Sequence, residues 1–169
     1  MNKIIKTLAI AILATVSFGL LGCSSPSETT QTQVGSEDEA AIRQILLERI
    51  ESFNRHEPPA SASFTSDADF VNVYGMWRKG AAEIESRQKE RMDTVLKEAN
   101  ITLLDLRIRF VRPDVAIAHQ LHETSGVLNV KGEKMPPHQE LSVRVFVKEQ
   151  GKWLITAFHN TIVRSDNRF

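Results

Sequence analysis

Cysteine is almost missing from this chain, with one residue, Cys23, in 169. No disulfide can form within it, and if that thiol is consumed by modification no thiolate nucleophile or ligand remains. An excess of one charge is missing too, since Lys plus Arg number 21 and Asp plus Glu number 21. Without a basic excess there is little to neutralise a phosphate backbone, which argues against nucleic acid as a partner. The sequence has no G-x-G-x-x-G run and no P-loop, so no nucleotide cofactor is expected. It has no H-E-x-x-H and no G-x-S-x-G, which removes the usual signatures of a zinc hydrolase and of a serine hydrolase. His119, His122 and His138 are present, but His119 and His122 have opposite strand parity, and no metal is expected. Beyond the N-terminus, no apolar run approaches the length of a transmembrane helix.

What is present begins at the N-terminus. Lys3 and Lys6 precede an apolar stretch from Thr7 to Leu21, which reads as a secretory signal. Its ending, Leu20-Leu21-Gly22-Cys23, resembles a bacterial lipobox, in which the cysteine is lipidated and becomes the new N-terminus. The expected organisation is therefore a signal peptide over 1–22, a lipidated Cys23 with a polar tether over 23–35, and a folded domain over 36–169. Cleavage removes Lys3 and Lys6 and no acid, leaving a net charge of about −2 on about 147 residues, enough for one domain. The expected location is the cell envelope, anchored to membrane by lipid alone. Ser24 is no aspartate-type retention signal, which favours the outer membrane.

The domain reads as α+β. Ser36 and Glu39 have capping-box spacing, and Ile42, Ile45, Leu46, Ile50 and Phe53 recur at helical spacing. The spacing predicts a helix from Ser36 to near His56, stopped by Pro58 and Pro59. Ala60–Asp69 reads as a connector, Phe70–Tyr74 as a strand, Gly75 as a reversal and Met76–Arg78 as a short return. A second helix is expected over Ala81–Ala99. Gln88 sits on its apolar face and needs a partner there. Four long antiparallel strands follow. On them, Leu104, Leu106, Ile108 and Phe110 share a face, as do Val115, Ile117, His119, Leu121 and Glu123. Leu141, Val143, Val145 and Val147 mark the third strand. Trp153, Ile155, Ala157, His159 and Thr161 share a face of the last. The expected architecture packs the helices on one face of a curved antiparallel sheet, leaving a concave site at its open end. Arg107, Arg109, Arg144 and Lys148 are expected on the outer face.

Two stretches are more specific. Phe64–Trp77 (FTSDADFVNVYGMW), with Lys79-Gly80 and Glu83-Ile84, resembles the opening signature of the SgcJ/EcaC family of the SnoaL-like, nuclear transport factor 2-like superfamily. Gly151–Ile155 running into Ala157–Thr161 resembles its closing strand, and Arg109–Ala116 its central hairpin. The resemblance implies a cone-shaped α+β barrel, often a homodimer through the outer face of its sheet. It also implies a superfamily that includes isomerases, dehydratases, cyclases, hydrolases and non-catalytic binding modules. Relatives often carry a histidine where this chain has Gln88, and glutamine cannot shuttle a proton.

Candidate residues follow. His159 lies on the face expected to look into the cone, and its imidazole suits acid–base work near neutral pH. Asp69, if held in an apolar cone, would have a raised pKa and could serve as acid or base. His119 and Glu123 share a face about 13 Å apart along one strand, too far for a direct pair but able to border one cavity. Asn72, Tyr74, Trp77, Gln88 and Asn160 complete the expected ligand contacts, with Tyr74 and Trp77 able to stack on a ring. Three readings stand: a lipoprotein binding a small apolar or aromatic molecule, a cofactor-free lyase or isomerase using Asp69 or His159, and a dimeric interaction module of the envelope.

Overall fold

The computed structural model describes residues 28–57 and 63–164, with side chains from Gly35 onward. The expected signal sequence and Cys23 lie outside the described residues. The elements are α1 (Glu28–Asn54), β1 (Phe64–Val71), β2 (Trp77–Lys79), α2 (Ala81–Met92), β3 (Asn100–Arg112), β4 (Val115–Ser125), β5 (His138–Glu149) and β6 (Lys152–Ile162). They form one six-stranded sheet in the order β2-β1-β6-β5-β4-β3. The four long strands are antiparallel neighbours, as expected, but β1 joins β6 in parallel, so the sheet is mixed. It is open rather than closed into a barrel, with β2 and β3 at its edges.

Three boundaries differ from the sequence reading. The first helix starts at Glu28, so Ser36 and Glu39 lie inside it and residues 28–35 are helical. Glu and Gln there are good helix formers, Thr and Val mediocre ones and Gly35 a poor one, and a helix nucleated downstream adds one hydrogen bond for each residue it fixes. The strand β1 starts at Phe64, inside the stretch read as a connector, because pairing with β6 is a long-range event that local patterning cannot reveal. The second helix ends at Met92. Thr94 Oγ1 donates to Glu90 O (2.8 Å), and such side-chain bonds to the preceding turn compete with helical continuation.

The main core lies between α1 and the sheet. Ile42 and Leu46 are fully buried against Ala116, Ala118, Phe146, Ile155 and Trp153. Two polar ties set the position of α1. Asn54 Nδ2 donates to Ile101 O (2.9 Å) and Asn54 Oδ1 accepts from Ile101 N (2.7 Å), fastening the end of α1 to β3. Asp38 Oδ1 accepts from Trp153 Nε1 (2.9 Å) and from Lys148 Nζ (2.6 Å), so Lys148 is turned onto α1. Against the raising effect of burial, these two partners hold the Asp38 carboxyl below the usual carboxylate range.

A second cluster of Met92, Leu96, Ala99 and Val127 joins the turns after α2 to the 126–137 loop. Gly126 makes that junction possible. Its φ is +72°, and a Cβ there would sit 2.0 Å from Glu98 O. Gly126→Ala therefore combines left-handed strain with a backbone clash. We expect it to lower stability by about 2 kcal/mol or more, read as the shift in urea midpoint against Gly132→Ala, whose Cβ meets open space.

Candidate functional site

The helices and the sheet enclose a cavity of about 380 Å³ at the end of the sheet away from the Ile42–Phe146 core. Register decides what faces it. On β4 the even residues Gln120, His122 and Thr124 are buried, while on β5 Glu140, Ser142 and Arg144 are. Cross-strand pairs carry these groups side by side: His122 with Glu140, Gln120 with Ser142, Ser142 with Asn160, and Arg144 with Phe158.

The polar wall is one connected network. Glu140 lies 3.6 Å from His122 Nε2 and 3.1 Å from His138 Nε2, and it accepts a short hydrogen bond from Asn160 Nδ2. Gln120 Nε2 stands 3.2 Å from His122 Nδ1. Ser142 Oγ donates to Gln120 O (3.3 Å) and accepts from Arg144 Nη1 (2.8 Å). Burial raises the Glu140 pKa, but the hydrogen bonds and positive charge of His122 and His138 outweigh it, so the carboxyl is held below its usual range. Arg144 is a buried cation and Arg49 a half-buried one. Burial, with the charge of Arg49 beside it, pushes Arg144 down to about 9. Burial pushes Arg49 down to about 10, against the opposing charge of Glu85. The apolar wall comes from Phe70 and Phe158, stacked at 4.5 Å, together with Phe53 and Met76.

Several buried polar atoms find no protein partner: Gln88 Oε1, Gln120 Oε1, Thr124 Oγ1, Asn160 Oδ1, Arg49 Nη1 and Arg144 Nε. All six residues line the cavity. Buried polar groups are otherwise satisfied in folded proteins, so a concentration of orphans on residues from both helices and the three strands around one cavity sets this part of the molecule apart. Among the described residues, no group of three His, Cys, Asp or Glu side chains is arranged to hold a metal ion.

Of the residues singled out from sequence, Asn72, Tyr74, Gln88 and Asn160 border this cavity. Asn72 also builds the β1–β2 turn, its Oδ1 accepting from the backbone N–H of Tyr74 and Met76 (both 3.0 Å). Asp69, Trp77, His119, Glu123 and His159 are on the other face of the sheet. His159 is exposed and pairs with Val143, while Phe158 and Asn160 face inward. The expectation that His159 shares the inward face with Trp153 is corrected by a β-bulge: Phe146 pairs with Ile155 but Val145 pairs with Ala157, leaving Thr156 unpaired and reversing parity. Asp69 is exposed and accepts from Trp77 Nε1 (2.8 Å), so it has no apolar cone around it. His119 and Glu123 have the parity opposite to His122. Arg144, expected outside, is inside. The sequence reading missed Arg49, Gln120, Glu140 and Arg144, and weighed His122 and His138 only as metal ligands. The signal was available in Ala116 and Ala118: two small residues at alternate positions mark the face a helix covers, and Gln120 and His122 continue that face.

Neither a family model nor a curated protein matches the chain. Solved structures do. An uncharacterised Caulobacter vibrioides protein with a cystatin-like fold is 26% identical over 77% of this chain and 92% of its own, with a TM-score of 0.72. A nuclear transport factor 2-like protein with a cystatin-like fold from Novosphingobium aromaticivorans is 15% identical, over 86% and 95%, with a TM-score of 0.69. A type 2 hexachlorocyclohexane dehydrochlorinase is 12% identical, over 79% and 90%, with a TM-score of 0.66. The domain therefore has the nuclear transport factor 2-like, cystatin-like α+β fold.

The lowered Glu140 pKa has a testable sign. A carboxyl depressed in the folded state contributes stability above its unfolded value of 4.5 and loses it as pH falls. Wild type should exceed Glu140→Gln in stability at pH 7, and the gap should narrow toward pH 4 in urea titrations. A gap that widens on acidification would refute the assignment.

Proposed function

We propose that this domain binds a small molecule with an apolar or aromatic body in the cavity between α1, α2 and the sheet. One observation carries the reading, namely six buried polar atoms without protein partners, all on residues that line a cavity of about 380 Å³ with a stacked phenylalanine pair in its wall. That volume is in the usual range of ligand sites, about 300–1,000 Å³. The amide oxygens of Gln88, Gln120 and Asn160 accept no hydrogen bond within the protein, and small side-chain rotations would turn them to hydroxyl or amine substituents of a ligand. In this reading the domain belongs to the SgcJ/EcaC branch of the SnoaL-like superfamily and is carried on a lipidated Cys23 in the cell envelope, more favourably at the outer membrane. The half-buried Ile117, Leu121, Val143 and Val145 on the outer sheet face support a homodimer.

A second reading is favoured by the position of His122 beside Glu140. An imidazole held by a carboxylate on a cavity wall suits general base work, so a cofactor-free lyase or isomerase would use this pair rather than Asp69 or His159. A solved structure of the same fold is named a hexachlorocyclohexane dehydrochlorinase, which is compatible at the level of fold alone.

Native mass spectrometry of the full chain, expressed in a bacterial host and released gently from membrane, tests the first reading. The expected result is a chain beginning at a lipid-modified Cys23 with a small molecule retained. Cys23→Ser should abolish the lipid mass and leave the retained molecule. If that molecule is turned over, His122→Ala should slow turnover by about 100-fold or more while His159→Ala leaves it unchanged. Equal loss in both variants would remove the His122 assignment.

A further inference from the structure

We infer that the ligand is a monocarboxylate with a flat apolar body, and that Arg144, assisted by Arg49, receives its carboxylate. The inference rests on the small-molecule-binding reading above.

The cavity is lined by five arginines, at 49, 78, 87, 91 and 144, against two glutamates, Glu90 and Glu140. Both glutamates are already engaged. Glu90 pairs with Arg87 at 2.7 Å, and Glu140 is held by His122, His138 and Asn160. Arg78 has Glu83 at 3.8 Å. Arg144 has no carboxylate in ion-pair distance among the described residues, although it is 8% exposed. A cation buried without an anion is costly, because its lost hydration is not replaced. Burial accordingly depresses Arg144 and the half-buried Arg49.

What surrounds Arg144 satisfies only part of it. The face of the guanidinium lies 4.7 Å over the Phe158 ring, and Nη1 donates to Ser142 Oγ. Nε is sealed from solvent and donates to nothing. The edge that carries Nε is the one from which arginine forms paired hydrogen bonds with a planar carboxylate. Arg49, on α1, lines the same cavity and also has an unpartnered donor, Nη1. The Arg144 guanidinium and Phe70 take the two faces of the Phe158 ring, so the body of the ligand lies against the edge of the Phe70–Phe158 stack. Glu140 stands on the same face of β5, about 13 Å along the strand from Arg144. The far end of a ligand anchored by its carboxylate therefore points toward Asn160 and His122.

The test uses 2-naphthoate, trans-cinnamate and 4-phenylbutyrate, each beside its primary carboxamide, titrated into the full chain in nonionic detergent with thermal midpoint as readout. At least one acid should raise the midpoint and bind at least tenfold tighter than its amide. Arg144→Met should erase that preference while its unliganded midpoint equals or exceeds wild type, since an unpaired buried charge has been replaced by an apolar chain of similar length. Should Arg144→Met give no folding transition, Arg144→Lys, which keeps the charge but not the fork, should weaken acid binding tenfold and leave amide binding alone. Equal binding of acid and amide, or an acid preference that survives either substitution, overturns the carboxylate inference and leaves the binding reading standing. Stabilisation by no probe of either charge overturns both.

Discussion

One unpaired residue in the last strand organises the rest of this domain. Between Ile155 and Ala157, β6 carries Thr156 with no counterpart on β5. Before the bulge, Trp153 and Ile155 point under α1 and complete the apolar core. After it, Phe158 and Asn160 point into the cavity. Without the extra residue, period-two alternation would turn His159 inward and send Phe158 to the outer face. The Phe70–Phe158 stack, the Arg144–Phe158 contact and the Asn160–Glu140 hydrogen bond all depend on that reversal. A matching irregularity on β3, where Leu104 is skipped between Leu103 and Asp105, leaves Leu104 half in solvent and brings Leu106, Ile108 and Phe110 onto the core.

The domain thus divides its concave face into two chemically different halves. Under α1 the face is made of Ala116, Ala118, Phe146 and Ile155, and it supplies the stability. Beyond them, the same strands continue as Gln120, His122, Thr124, Glu140, Ser142 and Arg144. Those groups hydrogen-bond mostly to each other, which keeps their side chains in place without a ligand, but they leave donors and acceptors unused. A partly satisfied network is worse for stability than an apolar core of the same volume. Its retention is understandable where a polar or charged molecule completes it.

Much of the architecture is legible in the residues. Periodicity locates both helices and all four long strands, and Gln150-Gly151 marks a turn that the structure has. The faces are harder. Val115, Ile117, Leu121, Val143 and Val145 look like an inward stripe, yet they cover the outer face, while the inward stripe beyond the helix is polar. The usual inference from apolar alternation to core fails here because a sheet with a wet concavity and an apolar back inverts it. His122 and Arg144 lie on that polar inward stripe, and His159 turns outward because of the bulge at Thr156.

The amino-acid sequence by itself determined element order, the α+β class and the pairing of consecutive long strands, because these follow from short-range periodicity and turn chemistry. It also determined the residues available for chemistry, with a single cysteine and balanced charge. Only the tertiary structure decided which of those residues meet. The parallel pairing of β1 with β6, the bulge at Thr156 and the placing of α1 over Ala116 and Ala118 are contacts between distant segments. A one-residue change in register moves every later side chain to the opposite face, so sidedness is settled by packing and not by pattern.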